Sequence, residues 1–170
     1  MSPVLEVWNR LSDGEAAQQI LPCCGSQAWA LGMAKRRPIQ DEAALTAVSA
    51  EIWNRLSVDD WMEAFSKHPR IGERKAPQSA TTRSASWSVQ EQKGVASAQD
   101  SVLQSLAEAN REYETRFGRV FLVCATGKSA SEMLELLRRR LQNDEATELK
   151  IASEEQCKIT EIRLRKWLSQ

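Results

Sequence analysis

Apolar residues in this chain recur at three- and four-residue spacing over most of its length, the period of a helix packed on one face. Val4, Leu5, Trp8 and Leu11 share a first face, after Ser2 as an N-cap and Pro3 at the first helical position, where its missing N–H has no partner to lose. A short helix follows over about Asp13–Leu21, and another runs from a Ser26 cap to about Lys35. Pro38 ends that stretch, because proline disfavours helical geometry in the residue before it. From Asp41 the period continues through Ala44, Leu45, Val48, Ile52 and Leu56, and Asp59 or Asp60 is placed to start a helix through Trp61, Met62 and Phe65 that runs into His68-Pro69.

Between Pro69 and Trp87 neither the helical nor the strand period holds; Gly72, Pro77 and a serine- and threonine-rich run suggest a long loop, a kind of segment that often carries function. The helical period returns from Ser88 to about Arg116, with Val95, Val102, Leu103, Leu106, Ala109 and Tyr113 inward and Gly118 as its stop. Val120–Cys124 is strand-like but short and lacks an obvious partner, so it reads as a buried extended linker. Ser129 and Glu132 form a capping-box pattern ahead of Met133, Leu134, Leu137 and Leu141, and a last helix spans about Asp144–Leu168. The expected fold is an all-α, single-domain helical bundle over residues 1–170, with a long loop after His68 and one short extended segment near Val120–Cys124. The six tryptophans, Trp8, Trp29, Trp53, Trp61, Trp87 and Trp167, fit core or groove packing better than a cofactor box.

Composition narrows the functional classes. A chain of 170 residues, 42% hydrophobic, can bury one core and has little left for a second. Its 23 basic and 23 acidic residues cancel, which argues against the basic footprint of a nucleic-acid binder. Basic runs occur at Arg36-Arg37 and Arg138-Arg139-Arg140; the second follows Glu132 and Glu135 and reads as a solvated helix face. Cys23, Cys24, Cys124 and Cys157 show no Cys-x-x-Cys spacing, and the single histidine cannot complete an ordinary zinc set with them. No metal and no disulfide framework is expected. No apolar run is long enough for a membrane span, and the ending Leu168-Ser169-Gln170 is not a peroxisomal signal, so the expectation is a cytoplasmic protein with no membrane partner and no appended domain.

The chemistry-bearing residues sit in two short blocks, His68-Pro69-Arg70-Ile71-Gly72 and Ser88-Val89-Gln90-Glu91-Gln92. An imidazole titrates near neutral pH and suits acid/base work, but at a helix end His68 could equally close the last turn. Ser88-x-x-Glu91 is also the pattern of a capping box, which would put both at a helix start facing any anionic ligand. Arg163 is flanked by Ile162 and Leu164; it either packs its alkyl stem or finds a partner in a solvated pocket.

Together these blocks resemble the OHCU decarboxylases of urate degradation, which act on 2-oxo-4-hydroxy-4-carboxy-5-ureidoimidazoline. The resemblance is carried by His68-Pro69-x-Ile71-Gly72, Ser88-x-x-Glu91-Gln92, Asn110-x-x-Tyr113-x-x-x-Phe117-Gly118, Phe121-Leu122-Val123-Cys124-Ala125, Arg140-Leu141-x-Asn143, Glu148 and Lys158-Ile159-x-x-x-Arg163-Leu164. It extends over most of the chain. It implies an all-helical carboxy-lyase that converts OHCU stereospecifically to (S)-allantoin and carbon dioxide without a cofactor. The absence of a glycine-rich nucleotide loop agrees with that. By motif match His68 and Glu91 are catalytic, with Glu91 orienting His68 or binding ureido and ring N–H groups. Pro69, Ser88, Gln92, the backbone around Val123, and Arg163 bind substrate. Arg70, Glu73-Arg74 and the loop from Gln78 to Ser86 have no counterpart in the motif. The resemblance and the tryptophan-rich helices allow a homodimer. Rival readings are a ureide or hydantoin hydrolase in which His68 activates water, and a helical interaction module with no turnover.

Overall fold

The computed structural model describes residues 2–73 and 77–170, so Arg74 and part of the expected loop lie outside the described residues. The described chain is all-α, as the periodicity predicts. Its helices are α1 (Pro3–Asn9), α2 (Asp13–Cys24), α3 (Gln27–Lys35), α4 (Glu42–Trp53) and α5 (Val58–Phe65). They are followed by α6 (Thr82–Glu91), a 3-10 turn at Lys93–Val95, α7 (Asp100–Phe117), α8 (Ala130–Arg140) and α9 (Glu145–Leu168). The chain divides into two compact units, one running to Ala64 and resuming at Cys157, the other Phe65–Gln156.

In the first unit local side chains set the helix starts. Ser12 and Glu15 form a reciprocal capping box, and Ser26 and Asp41 accept the backbone N–H of Trp29 and Ala44. Ser2 has the backbone of an N-cap, but its hydroxyl donates to Leu168 O at 2.9 Å. The α5 start is earlier than expected. Ser57 Oγ accepts from Asp60 N at 3.2 Å while Asp60 Oδ2 accepts from Ser57 N at 3.1 Å, a capping box with aspartate in place of glutamate. Helix α2 runs past its expected end through Pro22, because Cys23 and Cys24 are buried beside Ile20, and Gly25 closes it in the left-handed conformation with its N–H on Leu21 O. Helix α4 stops at Trp53, short of Leu56.

Trp8, Trp29 and Trp167 are among the largest fully buried side chains, with Trp8 and Trp167 edge-to-face at 5.7 Å. Trp53 and Trp87 are buried too, so tryptophan serves mainly as core here. Arg37 of the first basic run turns inward: its Nη1 donates to Trp8 O and Leu11 O, which satisfies carbonyls at the end of α1.

The second unit departs more from expectation. Thr81 caps α6 by accepting Ser84 N at 3.1 Å, so a helix occupies residues placed in the irregular stretch. The single helix expected over Ser88–Arg116 is broken by the 3-10 turn, and α7 begins only at Asp100, closing at Gly118 as predicted. Leu106, Tyr113, Phe117, Phe121, Met133, Leu137 and Leu141 share one core cluster here.

Arg140, read with its neighbours as part of a solvated face, is buried. Its Nε lies 2.8 Å from Glu148 Oε1, its Nη1 donates to Leu122 O, and its guanidinium lies 4.6 Å from the Phe121 ring centroid. Tyr113 OH donates to Glu148 Oε1 and Asn143 Nδ2 to Glu148 Oε2. Burial, then the Glu148 hydrogen bond, pushes the Tyr113 phenol above its usual range.

Removing one member of such a buried pair leaves the other charge uncompensated. Glu148→Ala should lower unfolding free energy by about 3–5 kcal/mol in urea titrations, whereas Arg139→Ala, on the exposed side of α8, should stay within roughly 0.5 kcal/mol.

Candidate active site

The segment after α5 is held from several sides. His68 N donates to Phe65 O at 3.2 Å, so a backbone group closes the turn, while the imidazole Nε2 lies 2.8 Å from Gln156 Oε1 on α9. Arg70 pairs with Glu114 on α7 and with Glu73. Asn110 Nδ2 donates to Ile71 O at 2.9 Å, and Gly72 N donates to Gln92 Oε1 at 3.1 Å. Gly72 has φ +91°, a conformation that favours glycine. The two motif blocks are thus joined, Gln92 of the second holding the loop of the first.

Ser88 and Glu91 do not form a capping box. Both lie in the last turns of α6, Ser88 Oγ donates to Ser84 O at 3.0 Å, and Glu91 is the final helical residue. A helix end carries partial negative charge, so Glu91 is a buried carboxylate at the unfavourable pole, and the expected positive dipole for an anionic ligand is absent at this place.

Val123 sits buried in the extended segment, and Cys124 next to it is electrostatically coupled to Glu91. The segment has side-chain partners where a strand would have a neighbour. Arg140 Nη1 serves Leu122 O, Glu155 Oε2 accepts Cys124 N at 2.7 Å, and Lys128 Nζ donates to Cys124 O at 2.7 Å. The expectation that backbone groups around Val123 stand ready for a ligand therefore fails at Cys124, where N–H and C=O are both engaged. Burial pushes the Cys124 thiol up, so it stays protonated at neutral pH. Gly94 brings the 3-10 turn against the loop before α8, where a Cβ would fall 2.1 Å from Lys128 O.

A cavity of about 450 Å³ opens here, lined among the described residues by Pro69, Gly72, Ser88, Val89, Gln92 and Leu103, with others. Three predicted binding residues, Pro69, Ser88 and Gln92, are on its wall; His68, Glu91 and Val123 lie in the same unit but not on that wall. Arg163 belongs to the other unit, where it is buried and acts electrostatically on Cys24; burial pushes that thiol up to about 12. Among the described residues no three His, Cys, Asp or Glu side chains are grouped to hold a metal, and no helix is long and apolar enough to cross a membrane.

The sequence model of the OHCU decarboxylases matches residues 9–165. The chain belongs to the OHCU decarboxylase family. It is 42% identical over 149 residues to the uric acid degradation bifunctional protein TTL of Arabidopsis thaliana, spanning 86% of this chain and 45% of that protein. It is 30% identical over 128 residues to the 2-oxo-4-hydroxy-4-carboxy-5-ureidoimidazoline decarboxylase of Amia calva, covering 75% of this chain and 73% of that one. Its fold superposes on a crystal structure of OHCU decarboxylase in the presence of (S)-allantoin with a TM-score of 0.76 at 37% identity, covering 94% of this chain and all of that one. The chain thus spans less than half of the Arabidopsis protein's length.

Within this chain, sequence reasoning missed Gln156, Glu155 and Lys128. Burial, which the sequence does not show, sets such positions apart: Ser153, Gln156, Thr160 and Arg163 are all buried on α9, as Ser84, Ser88 and Glu91 are on α6. Gln92→Leu should abolish hydrogen-exchange protection of the Gly72 amide at a global cost of about 1 kcal/mol, which amide-resolved exchange by NMR measures. Unchanged protection would show that the two blocks are not joined through this bond.

Proposed function

We propose that this chain catalyses the cofactor-independent, stereospecific decarboxylation of OHCU to (S)-allantoin and carbon dioxide. The observation that carries the reading is the joined pair of motif blocks beside a small cavity in a member of this family: Gly72 of the first block donates to Gln92 of the second, and Pro69, Gly72, Ser88 and Gln92 line the cavity. The cavity's size suits a small polar ligand. The family match runs through both units, which supports residues 1–170 acting as one domain. The four cysteines form no disulfide, in keeping with the cytoplasm, and the reading allows a homodimer.

The substrate carries its own electron sink. The carbon–carboxylate bond breaks, its electron pair forms a ring carbon–carbon double bond, and the π pair of the adjacent imine moves to the ring nitrogen, which takes a proton. The enol then gives its hydroxyl proton to His68 and receives a proton on the ureido-bearing carbon from one face. One proton is consumed and carbon dioxide leaves. On the motif match Glu91, Gln92 and Ser88 hold ureido and ring amide groups, Pro69 and the backbone around Val123 contact the substrate, and Arg163 takes a carbonyl or carboxylate, which its planar fork suits. Catalysis then rests on placed donors in a largely dry pocket.

The test is circular dichroism of the product when OHCU is generated in situ from urate by the two preceding enzymes. The protein should give optically active (S)-allantoin rapidly. His68→Ala should lower kcat by a factor of about 10² to 10⁴ in a folded protein. Glu91→Gln should lose activity without the loss of helix stability expected of a broken cap. Racemic product at the spontaneous rate from folded wild-type protein would refute the reading.

A further inference from the structure

We propose that Asn110 is a positioning residue for Gln92: acting through the Ile71–Gly72 peptide, it turns the Gln92 amide so that the cavity wall takes a carbonyl oxygen at that point and not an N–H. The inference deepens the decarboxylase reading and rests on it only for the identity of the ligand.

Glu73 N donates to Arg70 O at 3.1 Å, so residues 70–73 form a β-turn. Gly72 at its third position has φ +91°, and no described residue other than glycine has a positive φ, which makes the turn type II. With glycine in that place the central peptide can rotate to the type I form at little steric cost, reversing the directions of its C=O and N–H. Two side-chain amides oppose the rotation. Asn110 Nδ2 donates to the carbonyl of this peptide, Ile71 O, at 2.9 Å, and Gln92 Oε1 accepts its N–H, from Gly72, at 3.1 Å. The Asn110 bond is buried and the Gln92 bond is exposed, so water competes for the second far more than for the first. Asn110 therefore sets the plane.

Asn110 is 2% exposed, and its Oδ1 has no hydrogen-bond partner among the described residues. Leucine there would avoid the cost of an unpaired buried acceptor, so the amide is placed for its donor. One turn further along α7, Glu114 Oε2 lies 2.9 Å from Arg70 Nη2 and pins the start of the same turn. Once Gly72 N–H holds Oε1, Gln92 has its NH2 left for a ligand on the cavity wall. Of the substrate's ureido and ring amide groups, Gln92 then binds a C=O.

Amide exchange by NMR reads the turn, and titration with (S)-allantoin, uncharged at neutral pH, reads the cavity. Asn110→Leu should release the Gly72 amide to exchange although Gln92 is intact, weaken allantoin binding about tenfold, and raise KM for OHCU by a similar factor with kcat little changed. Gly72→Ala tests the same step without altering α7: no atom lies nearer its Cβ than Leu103 Cδ2 at 4.0 Å, so the positive φ alone should flip the peptide and free the Asn110 NH2 to exchange. Gln92→Glu keeps an acceptor for Gly72 but offers the ligand an oxygen in place of NH2. It should keep the Gly72 amide protected and still weaken allantoin binding about tenfold or more. A protected Gly72 amide in folded Asn110→Leu protein overturns the proposal, as does wild-type allantoin affinity in Gln92→Glu. If Asn110→Leu does not fold, an Asn110 NH2 that stays protected in Gly72→Ala overturns it instead. Wild-type protein that binds no allantoin overturns the assignment to Gln92, and the product assay decides the decarboxylase reading separately. Folded protein that shows all three effects on exchange and binding but makes no (S)-allantoin supports the clamp and refutes the decarboxylase reading.

Discussion

Glu148 is a carboxylate with no exposed surface, and such a group can stay charged only if donors surround it. Tyr113 of α7, Arg140 of α8 and Asn143 after α8 provide them, and Arg140 passes the connection on to Leu122 of the extended segment. One side chain near the start of α9 thereby ties together α7, α8 and the segment between them. Glu155 and Gln156 lie about two turns further along the same helix, roughly 11 Å at the helical rise. The anchoring of α9 by Glu148 thus fixes where the groups that hold Cys124 and His68 arrive.

This network also shows the limits of reading residues as runs. Arg138, Arg139 and Arg140 form one basic cluster in sequence, yet Arg140 alone falls three residues after Leu137 and seven after Met133, on the buried face. Most helices with apolar stripes were legible, together with the caps at Ser26 and Ser129. Helix α6 was not, because the face it buries is made of Ser84, Trp87, Ser88 and Glu91, and a polar buried face has no hydrophobic signature. Of the candidate site, the blocks around His68 and Glu91 could be found by motif. Gln156 could not, since a single amide in a long amphipathic helix looks like any exposed position until its packing is known.

The site also shows in the local rules it breaks. Glu91 ends a helix where a cation would be favoured, Gly94 cannot carry a side chain because a carbonyl lies against it, and Gln156 gives core volume to an amide. Each touches, or neighbours, a group in the motif blocks or in the segment running through Val123.

Val120–Cys124 is the stretch of this chain richest in β-forming residues, and an unpaired strand of that kind is a template on which other chains can add. Here its backbone groups are met by a guanidinium, a carboxylate and an ammonium brought by α8, α9 and the loop before α8. Leu122 O and the Cys124 N–H and C=O, engaged in this way, are not open to pairing with another chain's backbone. The contacts that close this segment to strand pairing are therefore the ones that set its place in the candidate site, so loss of any one of them would open a pairing edge and disturb the site together.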